Sequence, residues 1–234
     1  MLEPVETAQK KQTQFIASAS HELRTPLAVV RSGLESVEKC SNEEERNHFL
    51  HLMSEETVHM KRLIDDMLLL ANSDADTLTI KPEACQPDLL LLDTYEKFET
   101  LAKKNGLHLI LTLPEEILPD CFCDIHRTEQ IFSIIVDNAL CYTPSGGKVT
   151  LSCHAENEML CFLFEDTGCG ISEEKKSHIF ERFYRADDAH TDREHFGLGL
   201  CIAKELTEKQ NGNIQVVDAP ISGSCFMVQL PCAL

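Results

Sequence analysis

Three polar side chains near the N-terminus have the types and spacing to move a group through an imidazole. In Ser20-His21-Glu22-Leu23-Arg24-Thr25-Pro26, Glu22 directly follows His21 and Thr25 lies four residues on. On a helix, that spacing puts Thr25 on the face of His21. A carboxylate beside an imidazole can hold a proton at one ring nitrogen and leave the other nucleophilic. Pro26 removes a backbone donor and is expected to bend the helix just past this turn. An isolated exposed histidine is ordinarily plain surface, so the neighbours of His21 carry the reading.

Four strings in the second half offer a different chemistry, that of a nucleotide. Asp137-Asn138-Ala139-Leu140-Cys141-Tyr142-Thr143-Pro144 closes a helix ahead of Ser145-Gly146-Gly147. The Asn138 carbonyl is a hard oxygen suited to Mg²⁺; read alone, Asn138 is equally a residue capping a helix end. Asp166-Thr167-Gly168-Cys169-Gly170-Ile171 follows a strand. Asp166 can accept from an exocyclic amine, while Gly168 and Gly170 let backbone approach a flat ring. Ile179-Phe180-Glu181-Arg182-Phe183-Tyr184-Arg185 is an aromatic and cationic cluster. Its Arg185 suits a phosphate contact that steadies charge as a γ-phosphoryl group leaves. Gly197-Leu198-Gly199-Leu200 opens the last amphipathic helix, where backbone N–H groups bind phosphates.

The elements that must position these residues fall into two halves. Ile16, Leu23, Val30 and Val37 recur every seven residues, with Leu27 and Leu34 beside them. This is the buried stripe of a bundle helix, and it sets His21 on the opposite, wet side. Cys40-Ser41-Asn42 breaks the pattern and caps a second helix, with Glu43, Glu44 and Glu45 in its first turn. Met53, Met60 and Met67 then repeat at seven, flanked by Leu63 and Leu70, and read as core filling. Two such helices make an α hairpin with apolar surface left over. Pairing two copies into a dimeric four-helix bundle would cover it, so a homodimer is expected. His48, His51 and His59 on the second helix read as surface residues.

After Asn72 the period changes. Leu78 to Ile80, Leu107 to Leu113, Lys148 to Cys153, Leu160 to Phe164, Ile214 to Val217 and Cys225 to Leu230 read as strands. Helical stretches lie near Leu89 to Lys104, Thr128 to Cys141 and Leu198 to Gln210. That sequence of elements implies an α/β sandwich, with helices on one face of a mixed sheet. The boundary falls in the small and polar cluster at Ser73 to Asp76, giving domains 1–73 and 74–234.

Bulk properties narrow the classes further. Hydrophobic residues are 43% and charged residues 26%, ordinary for a globular protein. A formal net charge of -18 repels phosphate backbones, so no nucleic-acid partner is expected. Local backbone donors and a metal ion can still hold ATP against that field. No run approaches the roughly 20 apolar residues of a membrane span, and the N-terminus lacks a signal-peptide core. The eleven cysteines are scattered through apolar stretches, which suits buried thiols in a reducing cytosol. Cys121 and Cys123, with His126 nearby, form the tightest pair. No second pair completes a zinc set, and alternation on a strand is the better reading.

The H-E-x-x-T-P string at His21 closely resembles the phosphoacceptor box of sensor histidine kinases. The four later strings, in order, resemble the N, G1, F and G2 boxes of that family's catalytic domain, a Bergerat-fold ATPase. Asn211-Gly212-Asn213-Ile214, Gly223-Ser224-Cys225-Phe226 and Leu230-Pro231 parallel its closing strands, so the resemblance covers almost the whole chain.

It implies autophosphorylation of the His21 ε nitrogen by ATP, with Glu22 as base, and transfer to an aspartate of a response regulator receiver domain. Thr25 would position water when the partner is dephosphorylated. Asp166 would hold the adenine amine, Asn138 the Mg²⁺ and Tyr142 the nucleotide's flank, with Ala186 to Phe196 as a mobile lid. The exposed face with Arg24 and Arg31 would receive the partner. A cytoplasmic piece of a parent anchored in the bacterial cell membrane is the implied location.

Three departures stand out. Ile134 replaces a usual Asn, Cys141 a usual Lys, and His195-Phe196 a usual leading Gly. Each lost charged contact is worth about 1.5 to 3 kcal/mol, so weaker ATP binding or slower turnover is expected. Lys148, Arg193 and His195 are the candidates to compensate. The alternative is a degenerate kinase acting mainly as an ATP-binding or phosphatase module. A chaperone- or topoisomerase-like ATPase fits less well, because Ile134 cannot serve as its acidic base.

Overall fold

The computed structural model describes residues 3–185 and 196–233, with side chains from Thr13 onward. Helix α1 (Glu3–Val37) and helix α2 (Glu43–Asp74) form the hairpin. Asn42 caps α2, its side-chain oxygen accepting from the Glu45 N–H at 2.8 Å. Glu43 to Glu45 then complement the helix dipole. Helix α1 continues through the buried Pro26, so the proline does not end it.

The expected stripe on α1 needs one correction. Leu23, Val30 and Val37 are half-buried, whereas Ile16 is 58% exposed and Phe15 and Ala19 take the inner positions. At 100° per residue Ile16 falls on the face of Leu27 and Leu34, which are exposed too, so it lies on the outer side of the hairpin rather than in its seam. Gly33 marks the closest crossing, since a Cβ there would meet the Met53 side chain at 2.7 Å. Met53, Leu63 and Leu70 are buried, as the second helix's stripe required. Leu27, Leu34, Ile64 and Leu68 remain exposed on the hairpin's outer side.

The second half contains β1 (Glu83–Cys85), α3 (Pro87–Lys104), β2 (His108–Thr112), β3 (Cys121–Cys123), α4 (Ile125–Tyr142), β4 (Lys148–Glu156) and β5 (Met159–Asp166). It ends with α5 (Glu173–Lys176), α6 (Gly199–Glu208), β6 (Asn213–Asp218) and β7 (Ser224–Pro231). The main sheet runs β2-β4-β5-β7-β6, with β2 and β4 parallel and the other neighbours antiparallel. Alternation buries Val149, Leu151 and Cys153 of β4. Phe132 of α4 lies on the sheet, its ring 4.8 Å from Phe162 and 5.0 Å from Phe164. This is the α/β sandwich expected from the pattern.

Leu78 to Ile80 is coil rather than strand. The N–H groups of Thr77 and Leu78 both donate back to the Asn72 carbonyl, which winds the chain around the end of α2. Pairing starts later, where β1 meets β3 in a separate two-stranded sheet. Cys121 and Cys123 lie on β3 with both side chains buried, as strand alternation required.

The hairpin packs against the second half. Leu63 and Leu70 of α2 belong to the same apolar core as α4, α6 and the sheet. Phe15 of α1 stacks on Phe183 at 5.6 Å. Ser73 donates to Glu205 at 2.8 Å, and Lys209 pairs with Asp76.

Candidate active site

A cavity of about 360 Å³ opens among α4, the turn after β5, the start of α6 and the lower part of α2. Asn138, Tyr142, Asp166, Gly170, Ile171, Arg185, Gly197, Leu198, Gly199 and Leu200 all line it. These residues come from separate elements, yet one space gathers them.

Asp166 ends β5 and is only 5% exposed. Its Oδ1 accepts from the Gly168 N–H at 2.8 Å. Burial pushes its carboxyl up, while the backbone N–H groups of Gly168 and Ser224 pull it back toward ionisation. Gly168 itself lies behind the cavity wall, where a Cβ would sit 2.5 Å from the Tyr142 carbonyl oxygen. Gly223 has φ +91°, and a Cβ there would come within 2.2 Å of the Asp166 carbonyl oxygen. The two glycines therefore let the turn close tightly around this carboxylate.

Asn138 donates from Nδ2 to the Ile134 carbonyl oxygen at 2.8 Å, which commits the amide nitrogen to its own helix. The carbonyl end of the amide is then the one suited to a hard cation. Beside it, Ile134 fills the place of the absent asparagine and packs close to Gly199, where a Cβ would meet its Cγ2 at 3.1 Å.

Helix α6 begins without a side-chain cap; Leu198 stands at its N-cap and is 1% exposed. Leu198 is part of the apolar core, which anchors the loop beside the cavity that it helps to line. The first N–H groups of such a helix are donors for an anion. Gly197 has φ +71°, and its carbonyl accepts from the Phe183 N–H at 2.8 Å. This bond ties the glycine loop to the aromatic segment that carries Arg185.

Sequence reasoning missed the wall from α2, where Arg62, Asp65 and Asp66 line the cavity. Burial raises Asp66 to about 6, with Asp65 adding to the rise and Arg62 opposing it. These charged residues read as an ordinary solvated helix face, and nothing local says which domain that face will meet. Phe196 also lines the cavity, but Arg193, His195 and the lid positions 186–195 lie outside the described residues. Lys148 heads β4 and does not line it.

His21, Glu22 and Thr25 stand apart from the cavity on α1. The His21 side chain is 75% exposed, and its Nδ1 lies 3.6 Å from the Glu22 carboxylate. Thr25, Arg24 and Arg31 are exposed as well. His126 is 94% exposed and faces Glu129 rather than the cysteines. His59 departs from the surface reading: its side chain is 18% exposed, with Nδ1 3.8 Å from Glu56.

Two family models match these two halves. Residues 11–76 match the His Kinase A (phospho-acceptor) domain. Residues 123–234 match the histidine kinase-, DNA gyrase B- and HSP90-like ATPase. The chain belongs to the two-component sensor histidine kinases. Among its relatives, the sensor histidine kinase RppB of Synechocystis is 33% identical over 98% of this chain and 51% of its own length. SrrB of Staphylococcus aureus is 33% identical over 93% of this chain and 37% of its own length. The chain thus spans about half or less of these curated relatives. Of solved structures, full-length ShkA in complex with AMPPNP superposes with a TM-score of 0.72 at 26% identity, covering 94% of this chain and 46% of that one. No described helix is long and apolar enough to cross a membrane.

Proposed function

We propose that this chain uses ATP to phosphorylate its own His21 and passes the phosphoryl group to an aspartate of a response regulator. One observation carries the proposal: a single chain holds a wet imidazole beside a carboxylate and a separate cavity furnished for a nucleotide. The AMPPNP complex of ShkA supports ATP as the occupant of that cavity.

In this reading Asp166 accepts from the adenine amine. Gly168 fixes its carboxylate, Gly170 and Ile171 line the ring, and Tyr142 flanks the nucleotide. The N–H groups of Leu198, Gly199 and Leu200 meet the phosphates, and Arg185 balances charge on the group being transferred. The Asn138 carbonyl, with Asp137 beside it, suits Mg²⁺, which when bound neutralises phosphate charge. The His21 Nε2 attacks the γ-phosphorus and the bond to the ADP oxygen breaks. As substitution at Nε2 makes the ring cationic, Glu22 accepts the Nδ1 proton and leaves a neutral phosphoimidazole. Because His21 stands apart from the cavity, the ATP-binding half must move to reach it.

Transfer then runs from phosphohistidine to a carboxylate docked on the face of Arg24 and Arg31. Thr25, on the same face, would orient water for dephosphorylation of the partner. Two copies would pair through Leu27, Leu34, Ile64 and Leu68 in a four-helix bundle. Residues 1–73 and 74–234 are the two working domains, within a parent anchored at the cell membrane. The ATP-binding or phosphatase-module alternative is favoured by Ile134, which supplies no polar group where the cavity meets the phosphates.

Incubation with γ-labelled ATP separates the two. A label stable in base and lost in acid, absent from His21→Gln, supports the kinase. Tight ATP binding without any label supports the module.

A further inference from the structure

Away from the nucleotide cavity, the short sheet of β1 and β3 gathers three thiols. Cys85 pairs directly across from Cys121, and Cys123 lies two residues on, so its side chain shares the Cys121 face. The three sulfurs all lie within 4.8 Å of one another, with Cys85 and Cys123 at 3.4 Å. Cys121 and Cys123 are fully buried, while Cys85 is half-buried between strand ends where Glu83 and Ala84 are exposed.

We propose that Cys85, Cys121 and Cys123 form a three-thiolate site for a soft monovalent cation of the Cu(I) class. A metal–sulfur bond of about 2.3 Å requires sulfurs roughly 3.8 to 4.0 Å apart around one ion. The cluster already meets that spacing to within about an ångström, so closure needs rotamer adjustment rather than backbone movement. Soft thiolates select Cu(I) over the hard cations that serve nucleotides. Among the described residues no histidine or carboxylate joins the group, and His126 faces solvent. Three sulfurs without a fourth ligand suit Cu(I) better than zinc, which takes four in structural sites.

Binding is a ligand exchange without electron transfer. Each thiol that becomes a ligand releases its proton to solvent and forms one sulfur–metal bond. The site would also have a mechanical effect. Cys85 lies on the connector that follows α2, and Cys123 immediately precedes Asp124, the N-cap of α4. An ion bound there clamps the connector to the helix that carries Ile134, Asn138 and Tyr142.

The test uses the full chain, reduced and kept free of oxygen, titrated with Cu(I) against a chromophoric Cu(I) chelator. One equivalent is expected, with sulfur-to-metal charge-transfer absorption and sulfur-only scattering from three ligands in X-ray absorption. Cys85→Ser should weaken binding more than about a hundredfold, beyond the effect of an outer-shell change. Cys225→Ser, a buried thiol in β7, should leave it unchanged. Circular dichroism of each metal-free variant checks that its fold is retained. Should Cys123→Ser fail that check, Cys85→Ser at the half-buried strand end still decides the matter. Unchanged binding in Cys85→Ser, two-sulfur scattering, or preferential uptake of Zn²⁺ with a nitrogen or oxygen ligand each overturns the assignment.

Discussion

Arg182 grips Asp74 through two parallel hydrogen bonds, Nη1 to Oδ2 at 2.8 Å and Nη2 to Oδ1 at 2.7 Å. Asp74 is the last residue of α2, and Arg182 belongs to the segment tied to Gly197. The same guanidinium lies 5.4 Å from the Phe15 ring of α1. One side chain thus joins both hairpin helices to the rim of the nucleotide cavity. Since His21 stands outside that cavity, in the proposed reaction this contact would hold the histidine and the nucleotide apart.

Arg182→Ala should therefore speed autophosphorylation. A forked arginine–carboxylate pair is stronger than a single contact, but partial exposure limits it to about 1 kcal/mol. An increase of up to roughly fivefold in the initial rate of His21 labelling is expected. A rate equal to wild type would show that the pair does not restrain the movement.

Asp166→Asn tests the base contact. The substitution keeps the shape but presents an amide where a carboxylate accepts from two backbone N–H groups. Loss of a charged hydrogen bond costs about 1.5 to 3 kcal/mol, so the Kd for Mg-ATP should rise roughly 10- to 150-fold by calorimetry. The Kd for Mg-ADP should rise equally, because adenine is common to both.

Asp66 should make docking of the hairpin depend on pH, since its carboxyl lies in the wall that α2 contributes to the cavity. Its carboxyl is raised to about 6 in the folded chain, above an ordinary value of about 3.9. The docked form therefore prefers the protonated acid. Docking is favoured at low pH, and that advantage is lost as pH rises through about 6. Asp74 has the opposite sign: hydrogen bonding to Arg182 lowers it, so its contribution survives above the usual carboxylate range and fails only in stronger acid. Between pH 5 and 7 the Asp66 effect governs. Proteolysis of the connector should be slower at pH 5 than at pH 7, and Asp66→Asn should flatten that difference.

Leu34→Asp and Leu68→Asp test the outer hairpin face. Both leucines are more than half exposed in the single chain, at 55% and 56%. If they form the seam between two copies, a charge there leaves an unpaired carboxylate buried in the dimer. Sedimentation should show dimers for wild type and monomers for the double variant, with nucleotide affinity retained.

How much of this was legible in the sequence follows from the range of each interaction. The Asn42 cap, the Met53 stripe and β4 to β7 rest on neighbours a few residues away, and the pattern alone located them. The Asp166 turn was readable because glycines and a carboxylate in fixed order impose local geometry. Ile16 lies with Leu27 and Leu34 on the outer side, because a heptad gives spacing along a helix but not which neighbour each apolar position meets. Leu78 to Ile80 has strand-forming residues, yet the wound end of α2 captures its N–H groups. Arg62 and Asp66 were invisible as cavity residues, since their role arises from docking between halves. The third thiol was likewise hidden: Cys85 is distant in sequence and reaches Cys121 only through strand pairing.

In the proposed reaction the γ-phosphoryl group of ATP bound at Asn138 and Asp166 passes to the His21 ring. Tandem mass spectrometry at neutral or alkaline pH, after incubation with Mg-ATP, locates that group directly. A phosphoryl group on His21, absent from Asn138→Ala, is the predicted result. Modification of Ser20 or Thr25 instead, or a His21 signal undiminished in Asn138→Ala, would contradict it.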